Sequence, residues 1–202
     1  RLEKQLLVWI AHRLPRAINS DHLSALGLAS MALAGLAFAA FRLTPWAAIG
    51  VVVALAANWF GDSLDGTVAR VRNQQRPRYG YYLDHVLDLV GTTALMSGLA
   101  LSGLLHPVLA LALLIVYLLL CAESYLSTHA AGVFKMSFAG FGPTELRLVL
   151  VAGALKAAVS PLVHVPTLGV MQLFDIGAMI ALVGMSGAFL ISAARTTRLL
   201  YR

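Results

Sequence analysis

Nine acidic residues occur in the 202-residue chain, and four of them, Asp62, Asp65, Asp84 and Asp88, crowd into one short window. Asp62 and Asp65 are three apart, and Asp84 and Asp88 four apart. On a helix either spacing puts both side chains on one face. If the two segments are antiparallel neighbours, the four carboxylates face each other. Bare carboxylates in that space repel and resist desolvation, and divalent cations resolve the conflict. The ligands are all oxygen, which suits magnesium or manganese better than zinc. Four carboxylates can hold two ions, a pair that clamps an oxygen-rich substrate and stabilises charge as a phosphoryl bond breaks.

The neighbouring residues fit the same task. Gly66 directly follows Asp65, Ala69 lies one turn on, and Gly80 precedes Asp84. Small residues at these points let a bulky group lie against the backbone. Arg70 can offer its fork of donors to a diphosphate. Blander readings exist for each. The acids can form a structural charge network, Gly66 and Ala69 can pack helices, and Arg70, Arg72, Arg76 and Arg78 can be topology charges alone.

The elements that must position these residues are membrane helices. The chain is 59% hydrophobic and 12% charged, against about 25% charged in soluble domains, so it cannot cover a water-facing surface. The sequence predicts an all-α polytopic membrane protein with six transmembrane helices and an N-terminal amphipathic interfacial helix. The interfacial helix covers 3–12, with Trp9 at headgroup level, and a turn over 13–21 follows, with Ser20 or Asp21 capping the first span. The spans fall at about 22–41, 46–70, 81–105, 108–131, 144–163 and 168–194, each near the 20 residues a bilayer core requires. Segment 1–21 is then juxtamembrane, 22–194 the six-helix catalytic domain, and 195–202 a C-terminal tail.

The net charge is +6. Its bases flank the apolar runs, so they signal topology rather than nucleic-acid binding. Arg1, Lys4, Arg13, Arg16, Arg70, Arg72, Arg76, Arg78, Lys135, Arg195, Arg198 and Arg202 all fall on one side, whereas only Arg42 falls on the other. The positive-inside bias places both termini and the acidic cluster in the cytoplasm. The expected location is the cell inner membrane, with anionic membrane lipids as neighbours. Lys156 lies deeper in the fifth span, snorkelling or facing the bundle. The lone Cys121 excludes an internal disulfide and a zinc–cysteine cluster. No signal-peptide pattern is present, and because the sequence opens on Arg1, the true start is expected upstream.

The run Asp62-x-x-Asp65-Gly66-x-x-Ala69-Arg70, nine residues, then Gly80-x-x-x-Asp84-x-x-x-Asp88 resembles the signature of the class I CDP-alcohol phosphotransferase (CDP-alcohol phosphatidyltransferase) family. All eight fixed positions are present at normal spacing, and the six-span layout extends the resemblance over almost the whole chain. The resemblance implies transfer of a substituted phosphate group from a CDP-linked donor, CDP-diacylglycerol or a CDP-aminoalcohol, to an alcohol acceptor. CMP is released, in phospholipid biosynthesis. It implies a cofactor of Mg2+ or Mn2+, with two ions held by Asp62, Asp65, Asp84 and Asp88. Asp88 resembles the residue that also takes the acceptor's proton. Gly66, Ala69 and Gly80 look like the floor of the cytidine site and Arg70 a diphosphate contact. Asn58, one turn before Asp62, either joins the donor site or makes a helix–helix hydrogen bond.

His85 is a second proton acceptor to weigh, although it leaves the helix about 100° from the carboxylate face. The form Asp84-His85-x-x-Asp88 resembles the choline and ethanolamine phosphotransferase branch, as Thr144-Glu145 does weakly. The remaining polar residues bear on the acceptor: Glu123, Lys135, Glu145, Arg147, Arg195 and Arg198. The Gly-Lys-x-Lys-Thr run of phosphatidylglycerophosphate synthases is absent, with Val133-Phe134-Lys135-Met136-Ser137 in its place. A homodimer is the family precedent, and Gly27–Met31 or Gly184–Ala188 can pack helices. The rival readings are a divalent-cation transporter, which wants ligands near the bilayer midplane, and an inactive structural membrane protein.

Overall fold

The computed structural model describes residues 2–132, 142–166 and 169–201. Its elements, in order, are α1 (Leu2–Arg13), α2 (Ser20–Ala39), α3 (Ala47–Val71), α4 (Pro77–Leu101), α5 (Pro107–Ala131), α6 (Pro143–Val159), strands β1 (Leu162–Val165) and β2 (Gly169–Gln172), and α7 (Leu173–Tyr201). A 3₁₀ turn at Ala40–Arg42 extends α2. Among the described residues, four helices are long and apolar enough to cross a membrane: α2 with its 3₁₀ turn, α3, α5 and α7. Among the described residues the fold is helical apart from one antiparallel hairpin, in which Leu162 faces Gln172 and Val165 faces Gly169.

The all-α class holds, and the short hairpin changes only where the fifth span ends. The fifth apolar run does not continue to residue 163. It leaves the helix after Val159, and the Leu162-Val163-His164-Val165 segment pairs with β2, whose Gly169 takes a φ of 82°. The expected cap of α2 also moves. Asn19, rather than Ser20 or Asp21, accepts from the His22 N–H at 2.9 Å, while Asn19 N donates back to His22 Nδ1 at 3.3 Å, so two orphan donors are satisfied together. The third segment starts earlier than residue 81 because Pro77 occupies the first helical turn of α4, where a missing N–H costs nothing. α7 runs through residue 194 without a break to Tyr201.

α2 is the hub, packed along both α3 and α4, while α1 and α6 lean on α3, and α5 joins α4 to α7. Two crossings are backbone-close. A side chain on Gly61 would meet Leu23 O and Gly27 N of α2, and Gly98 lies against the Gly35 backbone. Gly27 is therefore spent on a crossing inside the chain, whereas Gly184 has open space around it. Phe38 is fully buried in the larger core with Val51, Leu55, Leu95 and Leu99, and packs edge-on to Phe174 at 5.8 Å between ring centroids. A smaller core of Leu7, Ala11, Leu23, Leu64 and Val68 fixes α1 against α2 and α3. It leaves Leu6 and Trp9 exposed, with Arg13 stacked 3.8 Å above the Trp9 ring.

Arg72 and Arg76 do more than mark topology. Arg72 ends α3 and donates to the carbonyls of Ile18 (2.5 Å), Leu14 (2.9 Å) and Pro15 (3.1 Å), clamping the α1–α2 link. Arg76 pairs with Asp21 at 2.5 Å, which raises the pKa of its guanidinium. Lys156 donates to the Ser160 carbonyl at 3.1 Å and is exposed, so it satisfies the end of α6 and does not face the bundle.

Candidate active site

A cavity of about 520 Å³ opens between the start of α2, the second half of α3, the 72–76 link and the first half of α4. Its walls include Asp62, Asp65, Gly66, Ala69, Arg70, Gly80, Asp84 and Asp88. The two acidic pairs, from adjacent helices, thus turn toward one space. A smaller adjoining recess is lined by the same four carboxylates with Ser24, Gly27 and Asn58.

Each carboxylate is held differently. Asp65 accepts from Ser24 Oγ at 2.7 Å and from the Gly66 N–H at 2.5 Å. Asp62 accepts from Arg147 Nη2 at 2.6 Å. Asp84 lies 3.4 Å from His85 Nδ1, and the ligand atoms of Asp84, His85 and Asp88 fall within 4.8 Å of one another. Among the described residues, Arg70, Arg76 and Arg147 stand against the four carboxylates and Asp21, and Arg76 is already paired with Asp21. The site therefore carries surplus negative charge on hard oxygen donors, a set that fits a divalent cation such as magnesium or manganese.

The small residues have distinct surroundings. A Cβ on Gly66 would come within 3.3 Å of Arg70 Nη1, so the missing side chain lets the Arg70 guanidinium lie along α3, steadied by Thr67 Oγ1 at 3.1 Å. Gly80 has nothing within 4 Å and opens onto the cavity.

The sequence model of the family described as CDP-alcohol phosphatidyltransferase matches residues 22–193. The chain belongs to that family. A search of curated proteins found no match. As a CDP-alcohol phosphatidyltransferase family member, the chain is a transferase of lipid synthesis that moves a phosphatidyl-type group from a CDP-linked donor to an alcohol, and the family uses divalent metal.

The other predicted site residues lie off the walls of the larger cavity or outside the described residues, with Asn58 on the smaller recess and His85 beside Asp84. Asn58 is buried, donating from Nδ2 to Gly27 O at 2.9 Å and accepting from Arg147 Nε at 2.7 Å, a helix–helix bridge. The His85 ring is buried between Tyr81 (centroids 4.2 Å apart) and Tyr125 (5.0 Å) and does not line the cavity. Glu123 accepts from Ser192 Oγ at 2.7 Å and Thr196 Oγ1 at 3.1 Å, pinning α5 to α7. Glu145 is exposed and accepts from the Gly142 N–H at 2.9 Å, capping α6. Arg195 and Arg198 are exposed on the last turns of α7. Lys135 lies outside the described residues.

One contributor carries no prediction from the sequence, and another takes a different role. Ser24 reaches Asp65 from α2, and its signal is the polar row Ser20, Asp21, Ser24 at the mouth of an otherwise apolar helix. Arg147 was expected at the acceptor; its pairing with Asp62, 85 residues away, has no local signature.

Proposed function

We propose that the cavity binds a CDP-linked donor through divalent cations and hands its substituted phosphate to an alcohol, releasing CMP. The observation that carries this reading is the convergence of all eight signature positions on one wall-to-wall space. Asp62, Asp65, Asp84 and Asp88 would hold Mg2+ or Mn2+, with room in the donor set for two ions. When bound, such ions supply charge neutralisation at the donor's diphosphate.

Arg70 adds guanidinium donors to the same phosphates. Gly66, Ala69 and Gly80 give the nucleotide an unobstructed backbone floor. Asp88 takes the proton of the acceptor hydroxyl as that oxygen attacks phosphorus. The bond from phosphorus to the CMP oxygen breaks, and CMP leaves with the electron pair. His85, held between two tyrosine rings beside Asp84, orients that carboxylate rather than receiving the proton.

The topology proposed is six spans, α2 to α7, in the cell inner membrane, with both termini and the cavity cytoplasmic. The polar start of α4 then lies at the membrane surface. α6, 17 residues long, spans about 26 Å at 1.5 Å per residue, and the hairpin completes the crossing. α1 lies at the interface with Leu6 and Trp9 toward lipid, beside anionic headgroups. The open face around Gly184 is the seam we propose for a homodimer.

The deciding experiment measures CMP release by the purified protein with magnesium. It pairs CDP-diacylglycerol with water-soluble alcohols, and CDP-choline or CDP-ethanolamine with diacylglycerol. One donor class should support turnover. Turnover with neither would refute the reading.

A further inference from the structure

Asn58 and Asp62 are four apart on α3 and therefore share a face. Arg147 reaches both from α6 with neighbouring donors of one guanidinium edge: Nε to Asn58 Oδ1 at 2.7 Å and Nη2 to Asp62 Oδ2 at 2.6 Å. Asn58 cannot turn away, because its other amide atom donates to Gly27 O at 2.9 Å. Arg147 is mostly shielded, its side chain 15% exposed, and Asp62 is 30% exposed. A fixed positive charge is thus parked on one oxygen of a carboxylate proposed above as a cation ligand.

We propose that Arg147 is an intramolecular counter-charge that competes with the divalent cation for Asp62, setting how tightly this site holds metal. It acts through Asp62 and is a positioning residue. The inference rests on the metal reading above. A cation at Asp62 Oδ2 must displace Arg147 Nη2 or share the oxygen with it, and the two positive charges repel at that range. The Asn58 tether keeps the guanidinium close after it yields, so the competition persists through each binding cycle. Removing the charge frees Asp62, leaving an unpaired, half-buried carboxylate that favours the cation more strongly and destabilises the protein until a cation arrives.

The test is Mn2+ binding by the full-length protein in detergent, read from the electron paramagnetic resonance signal of free Mn2+, together with thermal melts. Arg147→Gln should bind Mn2+ more tightly than the parent, on the order of tenfold, within the usual range of coupling between two sites. It should melt below the parent without cation and recover part of the gap with it. Arg147→Met, whose apolar chain follows the same path, is scored identically if the glutamine variant folds poorly. Arg147→Lys keeps the charge and should stay nearer the parent than either neutral variant. Unchanged or weaker Mn2+ binding in both folded neutral variants would overturn the proposal, as would a lysine variant that tightens as much as they do. Failure of the parent and all variants to bind Mn2+ would overturn the metal reading and this inference together.

Discussion

Replacing Gly61 by alanine adds one methyl where α2 and α3 cross. That carbon would sit 2.6 Å from Leu23 O and 2.8 Å from Gly27 N, both backbone atoms that no rotamer change can move. An ordinary carbon–oxygen approach is about 3.3 Å or more, so the helices must part by roughly 0.7 Å. The same crossing carries Ser24 to Asp65 at 2.7 Å and Asn58 to the Gly27 carbonyl at 2.9 Å. Lengthening either by that amount takes it beyond a good hydrogen bond. Overpacking of this kind costs about 1–3 kcal/mol. For a chain of this size each kcal/mol moves the melting temperature by roughly 2–4 °C, so the expected fall is about 2–12 °C. CMP release should fall with it, since one wall of the cavity shifts. The assay is a detergent-phase melt beside a turnover measurement. A Gly61→Ala protein that melts and turns over like the parent would refute the backbone-contact reasoning.

Other substitutions separate chemistry from scaffolding. Asp62→Asn and Asp84→Asn should each abolish transfer of label from CDP-linked donor to lipid while the protein still melts cooperatively. Arg72→Ala loses three carbonyl contacts and should destabilise by roughly 2–4 kcal/mol after discounting for exposure, with KM for the donor unchanged. Glu123→Gln should lower the melting temperature through the loosened α5–α7 contact, on the order of 1–3 kcal/mol, with KM for the acceptor unmoved; a rise in that KM would return Glu123 to the acceptor site.

The helices were legible because hydropathy runs are local signals, and the signature was legible because its residues lie within two adjacent helices. The span starts at 22, 46, 108 and 144 fall within two residues of α2, α3, α5 and α6. What escaped depends on contacts between distant segments. Arg147 meets Asp62, Glu123 meets Ser192, and Arg72 meets Ile18 only once the bundle is assembled. From sequence Arg72 reads as one of several loop charges, and Arg147 and Glu123 as acceptor-site charges, with no partner indicated. The hairpin carried only a faint signal, the β-branched Val163, Val165 and Val170 around a proline and a glycine, overshadowed by their continuity with an apolar run.

The most direct measurement is calorimetric titration of CDP into the purified protein with and without magnesium, repeated in Asp84→Asn. Tight CDP binding that requires magnesium and is lost in the variant is the predicted result. CDP binding of equal strength without the cation, or undiminished in Asp84→Asn, would contradict the assignment of the four carboxylates as the cation-mediated grip on the donor.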